Sequence, residues 1–331
     1  MIVPAKRLIE EPLNLPPHVV LLGAGASRAA FPNGDAGGHR LPVMNDFVTV
    51  LGLSDLLRDV PQGANFEDTY SLLRTDPQYT SVADELEQRI YEYFTELSLP
   101  DTATLYDRLV LSMRGTDAIF TFNWDPFLFD AYLRNRDVAT LPEIFFLHGN
   151  VRIGSCLDHG RWGHYAGLCP DCGKPYTSVP LLYPIGKKDY SSSGYIAGSW
   201  DNARAWFKGA FTMTVFGYGA PQSDADAVEL LRSSWLEKNE REMEHVHIID
   251  LADDDVLHER WAPFTPTLHL HTYRHFSESH LARWPRRSCE SIFYPMRDAT
   301  PCLDFPLPET ESLDELQDFV RKIATHEPPA T

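Results

Sequence analysis

Residues 18–27 read HVVLLGAGAS, and this stretch decides the fold. His18–Leu22 is a short apolar run containing β-branched residues. Gly23-Ala24-Gly25-Ala26-Ser27 follows at once, and Arg28-Ala29-Ala30 then opens a helix. A buried strand feeding a glycine turn and a helix is the first βα unit of a nucleotide-binding sheet. The glycines let backbone N–H groups approach a pyrophosphate, so Gly23, Ala24, Gly25 and Ser27 are candidate cofactor contacts. The third glycine of G-x-G-x-x-G is missing, because position 28 is Arg28. Arg28 either adds charge to a phosphate site or faces solvent. The competing reading of the turn is a tight β–α connection without a ligand.

Further strands are expected at Ala118–Thr121 (AIFT), Ile144–Leu147 (IFFL), Phe211–Phe216 (FTMTVF), His245–Ile249 (HVHII) and Thr267–Leu270. Helices are expected at Pro126–Arg134, where proline suits a first turn, and at Ala225–Glu244. Polar or glycine motifs stand at the carboxyl ends: GAGAS, FNWD at 122–125, His148-Gly149, Gly217-Tyr218-Gly219 and Asp250. In open α/β sheets ligands bind at the carboxyl ends of strands, so these motifs should converge on one crevice. The fold class is therefore α/β, a Rossmann-like doubly wound parallel sheet built from residues 18–42, 115–150 and 205–275. Residues 43–114 read as a helical insertion, with helices at Met44–Leu57, Val82–Leu97 and Leu105–Met113. The second of these places Leu86, Ile90, Tyr93, Phe94 and Leu97 on one stripe. Residues 151–180 form a loop-rich cysteine module. The proline-rich residues 1–17 lie over the surface, and the tail, 301–331, carries one amphipathic helix and a disordered end.

The chain has 331 residues and a net charge of −18, from 47 acidic and 29 basic residues. Such a chain repels a phosphate backbone, which disfavours direct nucleic-acid binding. Arg283, Arg286 and Arg287 are read as a local basic patch or as a solvated basic turn. No apolar run approaches the ~20 residues that span a bilayer, and the first 17 residues carry acids where a signal peptide is apolar. A cytoplasmic location follows as an expectation. Five cysteines, three of them clustered, argue for metal rather than a disulfide framework.

Asn123 at a strand end can hold a ribose hydroxyl and a water at once, since an amide both donates and accepts. Asp125 can accept from a carboxamide; alternatively it caps the helix beginning at Pro126. His148 can act as a general base near neutral pH, or serve as a structural histidine. Gly149 favours a tight turn that exposes the ring. Asp250 is a candidate for ribose hydroxyls, or an ordinary loop acid. Cys156-x-x-His159 and Cys169-Pro170-Asp171-Cys172-Gly173 supply two ligand pairs for tetrahedral Zn²⁺, with His164 as an alternative to His159. A closed four-ligand site is structural. Free thiols are the competing reading, and Cys289 and Cys302 receive no role.

These motifs, in this order, resemble the sirtuin family, over roughly residues 18–255. Its members show GAG-x-S, then T-Q-N-I-D, H-G, two zinc-binding cysteine pairs, a G-T-S phosphate turn and a late ribose-binding strand end. The resemblance implies that Asn123 orients the nicotinamide ribose and water, Asp125 meets the nicotinamide carboxamide, and His148 is catalytic. It also sets Gly217, Tyr218 and Asp250 on the cofactor. Departures are Phe122 for the usual glutamine, Phe31-Pro32-Asn33-Gly34 in the cofactor loop, and Gly217-Tyr218-Gly219 without threonine and serine. The 181–190 segment, LLYPIGKKDY, replaces the strand that pairs with an acyl-lysine peptide. TFNWDPFLF with PIGKKDY is similar to the bacterial antiphage-defence branch, whose members hydrolyse NAD. This implies NAD as substrate, structural Zn²⁺, a homo-oligomer, and gating by a partner such as a ring ATPase or an Argonaute-like protein. The alternatives are a protein deacylase and a non-catalytic NAD or ADP-ribose sensor.

Overall fold

Short runs of β-branched and aromatic residues become strands buried on both faces in the computed structural model, which describes residues 2–183, 190–191, 193–221, 224–237, 243–265 and 269–328. The main sheet contains β1 (His18–Leu22), β2 (Ala118–Thr121), β3 (Glu143–Phe146), β7 (Thr212–Phe216), β8 (His245–Ile249) and β9 (Leu270–Tyr273). Every residue of β1, β2, β7 and β8 is buried, the mark of a parallel sheet covered on both faces. The order is β3-β2-β1-β7-β8-β9, with every pairing parallel. Strands succeed one another leftward from β1 to β3 and rightward from β7 to β9. The sequence reading of a doubly wound Rossmann-like sheet is thus met, with the switch point between β1 and β7. Register aligns the carboxyl ends, since Leu22 lies opposite both Thr121 and Phe216, and Phe216 opposite Ile249. Residues 153–178 hold a separate three-stranded antiparallel sheet: β4 (Ile153–Ser155) between β5 (Trp162–His164) and β6 (Thr177–Ser178).

Helices differ more from expectation. The first begins at Ala24 instead of Arg28, with Gly23 as its N-cap. Met44–Leu57 is not one helix; only Phe47–Val50 is helical, followed by turns through Gly52 at φ +67°. Gly52 takes the left-handed conformation that ends the run. The insertion also contains Phe66–Thr75, Thr80–Glu96 and Leu105–Leu111, the last closed by a Thr104/Asp107 capping box. The helix from Ala225 ends at Leu236; Met243 and Glu244 are non-helical, and residues 238–242 of the expected helix lie outside the described residues. The last strand starts at Leu270 rather than Thr267, with residues 266–268 outside the described set. Residues 184–189, the core of LLYPIGKKDY, are outside it too. Gly194–Gly209 is a helix the sequence reading missed, although Ile196, Trp200, Ala203 and Phe207 carry its buried stripe.

Arg286 and Arg287 are neither an exposed patch nor a solvated turn: both side chains are fully buried against Glu327. The guanidinium of Arg286 also donates to the carbonyls of Met113 and Thr140, and that of Arg287 to Leu8 and Ile9. They pin the N-terminal helix (Ala5–Glu10), the amino ends of β2 and β3, and the C-terminal helix (Leu313–Ala324) to one another. Nothing in local charge spacing distinguishes such an anchor from a surface cluster.

Candidate active site

The motifs at the carboxyl ends do converge. One cavity of about 570 Å³ is lined by Gly23, Ala24, Gly25, Ser27, Phe122, Asn123, Asp125, His148, Gly217, Tyr218 and Asp250. That volume falls within the range of small-molecule and cofactor pockets. Its outer wall comes from the insertion, through Val43, Phe47, Phe66 and Phe94. The metal-module cysteines are not among the lining residues.

The glycines serve packing first. A Cβ on Gly23 would lie 2.6 Å from Gly217 O, and one on Gly25 would lie 2.8 Å from Gly217 Cα. Gly217 has φ +61°, and a Cβ there would meet the Ala26 nitrogen at 2.1 Å. The turns after β1 and β7 are therefore interlocked at the switch point. Two N–H groups are engaged in this contact: Gly23 donates to Phe216 O at 3.0 Å and Gly25 to Gly217 O at 2.9 Å. A phosphate contact at this turn would have to use other N–H groups.

Beneath the cavity lies a buried polar hub. Ser27 Oγ donates to Asp125 Oδ2 at 2.5 Å and lies 2.6 Å from the Tyr106 hydroxyl. The Asn123 amide nitrogen donates to Gly23 O and to Ser27 Oγ, each at 3.0 Å. Among the described residues its Oδ1 carries no protein donor, so Asn123 offers an acceptor to the cavity, where the sequence reading expected both functions. Asp125 Oδ1 also accepts from the Phe127 N–H at 3.3 Å, just ahead of the helix Phe127–Asn135. The helix begins at Phe127 with Pro126 as its N-cap, one residue later than expected, so Asp125 precedes the cap instead of forming it. Burial raises its pKa to about 6, against the lowering effect of the Ser27 hydrogen bond. The Tyr106 hydroxyl is pushed well above its ordinary range, by burial and then by Asp125. Asn150 holds the 122–125 turn in place by donating to Asp125 O at 2.6 Å.

His148 follows β3 and is buried. Gly149 takes φ +77°, as its tight turn requires, and a Cβ there would meet Pro180 O at 2.3 Å. The imidazole packs edge-on against Phe122 at 4.6 Å, and Phe122 stacks on Tyr218 at 4.4 Å. Phe122 therefore fixes the imidazole by packing. The Tyr218 hydroxyl donates to Asp224 at 2.9 Å, so Tyr218 offers the cavity its ring. Asp250 accepts from Ala252 N–H at 2.9 Å through Oδ1.

Arg28 turns away from the cavity and pairs with Asp46, tying the first helix to the loop before Phe47. The only Arg or Lys among the described lining residues is Arg260, on the helix Asp254–Trp261. Sequence reasoning missed Arg260, Tyr106 and Asn150. Asn150 directly follows His148-Gly149 and had a local signal; Arg260 and Tyr106 sit on helices whose pattern says nothing about the cavity.

In the small sheet, Cys156, His159, Cys169 and Cys172 bring their ligand atoms within 4.8 Å of one another. Cys156 Sγ lies 3.5 Å from His159 Nδ1 and 3.7 Å from Cys172 Sγ, and Cys169 Sγ lies 3.8 Å from His159 Nδ1. With Zn–S near 2.3 Å and Zn–N near 2.0–2.1 Å, tetrahedral ligands stand about 3.5–3.8 Å apart, so the donor set fits zinc. His164 is outside the group; its Nδ1 accepts from Ala166 N–H at 3.2 Å. Gly160 and Gly173, at φ +62° and +70°, shape the two knuckle turns.

No family model matches the chain, and no curated relative matches it. Solved structures do. A Sir2 homologue in complex with NAD is similar at 13% identity and TM-score 0.37, over 96% of this chain and 93% of that one. A Sir2 bound to acetylated peptide is similar at 14% identity and TM-score 0.37, over 89% and 96%. A sirtuin studied for substrate affinity is similar at 16% identity and TM-score 0.41, over 86% and 96%. Likeness this distant concerns the course of the backbone, and the chemistry has to be read from the side chains.

Proposed function

We propose that this protein is a sirtuin-like NAD⁺ hydrolase, cleaving the nicotinamide–ribose bond to give nicotinamide and ADP-ribose. The observation that carries the reading is the meeting of Asn123, Asp125 and His148 in the cavity at the β1/β7 switch point. Each belongs to a motif of the ordered set that resembles sirtuins, and together they supply an amide acceptor, a buried acid and an imidazole. In the reaction the C1′–N bond breaks and water adds at C1′, releasing one proton. Nicotinamide leaves neutral, so little acid assistance is needed. The protein's work is to orient the ribose and the water and to stabilise developing positive charge. Asn123 Oδ1 accepts from a ribose hydroxyl or the water, and His148 takes the proton. Asp125, neutral in part near pH 6, meets the carboxamide. Gly217, Tyr218 and Asp250 line the far half of the dinucleotide, where Arg260 balances phosphate charge. Zn²⁺ in the cysteine module is structural: with four protein ligands it has no open coordination position.

A hydrolase that consumes a host cofactor needs restraint, and we assign this protein to antiphage defence, with activation through self-association or a partner ATPase or Argonaute-like protein. That assignment rests on the motif resemblance. The deciding assay is nicotinamide release from NAD⁺ by the pure chain, with and without acetyl-lysine peptide. Peptide-independent release is the expected result. Strict peptide dependence converts the assignment to deacylase, and binding without release converts it to a sensor.

A further inference from the structure

Away from the cavity, at the amino ends of β8 and β9, lies a histidine cluster unconnected with the chemistry above. Alternation along β8 puts His245 and His247 on one face, and the β8/β9 register sets His247 opposite His271. Ring centroids are 5.9 Å apart for His245–His247, 5.1 Å for His245–His271 and 5.5 Å for His247–His271. One nitrogen from each of the three lies within 4.8 Å of the others. Neighbouring histidines have hydrogen-bond partners. His18 is held by Ser288 and Thr214 at 2.7 and 2.8 Å, His280 by Ser291 at 2.6 Å, and His269 by Glu244 O at 3.3 Å. His245 and His247 differ: they are 8% and 1% exposed, yet none of their four ring nitrogens has a partner among the described residues. Leaving several buried polar nitrogens unmatched is costly, and native proteins rarely do it. One orphaned nitrogen from each of His245 and His247 thus meets a ring nitrogen of His271, whose exposure opens the cluster to solvent.

We propose that His245, His247 and His271 form a second metal site, for a divalent transition ion of the zinc class. Neutral imidazoles are the commonest ligands for such ions, and three leave the fourth position to water or exchangeable ligand. The all-nitrogen donor set separates this site from the cysteine module, because cobalt bound by thiolates shows an intense near-ultraviolet sulfur-to-metal band that imidazole-bound cobalt lacks.

The test uses the full chain without a histidine tag, stripped with a chelator and titrated with Co²⁺ and Zn²⁺. Two variants divide the sites: C156S/C172S for the module and H271A for the cluster, the latter chosen because His271 is exposed and its loss leaves the core intact. Expected are a metal equivalent in C156S/C172S without the sulfur band, and in H271A loss of one equivalent with that band unchanged. Melting temperature should rise with Zn²⁺ in C156S/C172S and not in C156S/C172S/H271A. If C156S/C172S takes up no metal, or H271A binds as much as the parent, the proposal is overturned.

Discussion

At the carboxyl ends of the strands, Ser27, Tyr106, Asn123 and Asp125 share buried hydrogen bonds beneath an open cavity, and the amide oxygen of Asn123 is left turned to it. At the amino ends, Arg286 and Arg287 are as deeply buried and Glu327 partly so, but their bonds close among themselves and onto backbone carbonyls. A buried polar network stabilises when its members satisfy one another, and becomes a site when one capacity is left over for a ligand. On this view variants at the two ends should separate cleanly, one set in rate and the other in stability.

The largest effect is expected in rate. Asn123→Ala and His148→Ala should each lower nicotinamide release by ~10²–10⁴-fold, with the melting transition retained. Wild-type release from both folded variants would sink the catalytic assignment. At the other end, Arg286→Ala leaves Glu327 with Arg287 alone and strips the Met113 and Thr140 carbonyls of their donors, and should cost about 2–5 kcal/mol in denaturant unfolding, with KM for NAD⁺ unchanged in the folded fraction. A neutral result there would mean that the anchor is dispensable.

Asp125 belongs to both comparisons and sharpens them. Its folded pKa, about 6, lies above the ordinary carboxylate value because of burial. The folded state therefore holds the proton more tightly than the unfolded chain. This contribution is fully present below about pH 4 and is lost as pH rises through 6. Asp125→Asn should accordingly stabilise the protein at pH 7, by on the order of 1–3 kcal/mol, with the gain fading toward pH 4. Thermal unfolding across that range reads the effect; a gain independent of pH would place its cause outside ionisation. The smallest effect is expected for Arg260→Ala, at the exposed rim: a rise in KM of roughly 10-fold, about 1.4 kcal/mol, with kcat unchanged. An unaltered KM would remove Arg260 from the dinucleotide's path.

Much of the core was legible because its signals are local. The limits of β1, β2 and β8 follow from apolar runs that end at glycine or polar motifs, and the five carboxyl-end motifs share one cavity because parallel strands in register bring their ends level. The expected Met44–Leu57 helix is cut short because Gly52 takes φ +67°, which hydrophobic spacing does not reveal. Gly194–Gly209 is helical on a readable stripe of Ile196, Trp200, Ala203 and Phe207, though it was not expected.

The chain alone determined a glycine-turn α/β protein with a four-ligand cysteine and histidine module, for strand period and ligand spacing are written within a few residues. Only the tertiary structure decided which N–H groups the interlocked turns use, that Arg286 and Arg287 are interior, that Arg260 rather than Arg28 faces the cavity, and that His245, His247 and His271 meet. Each of these depends on partners brought together across tens to hundreds of residues, and burial and hydrogen bonding are properties of that assembly rather than of any local pattern.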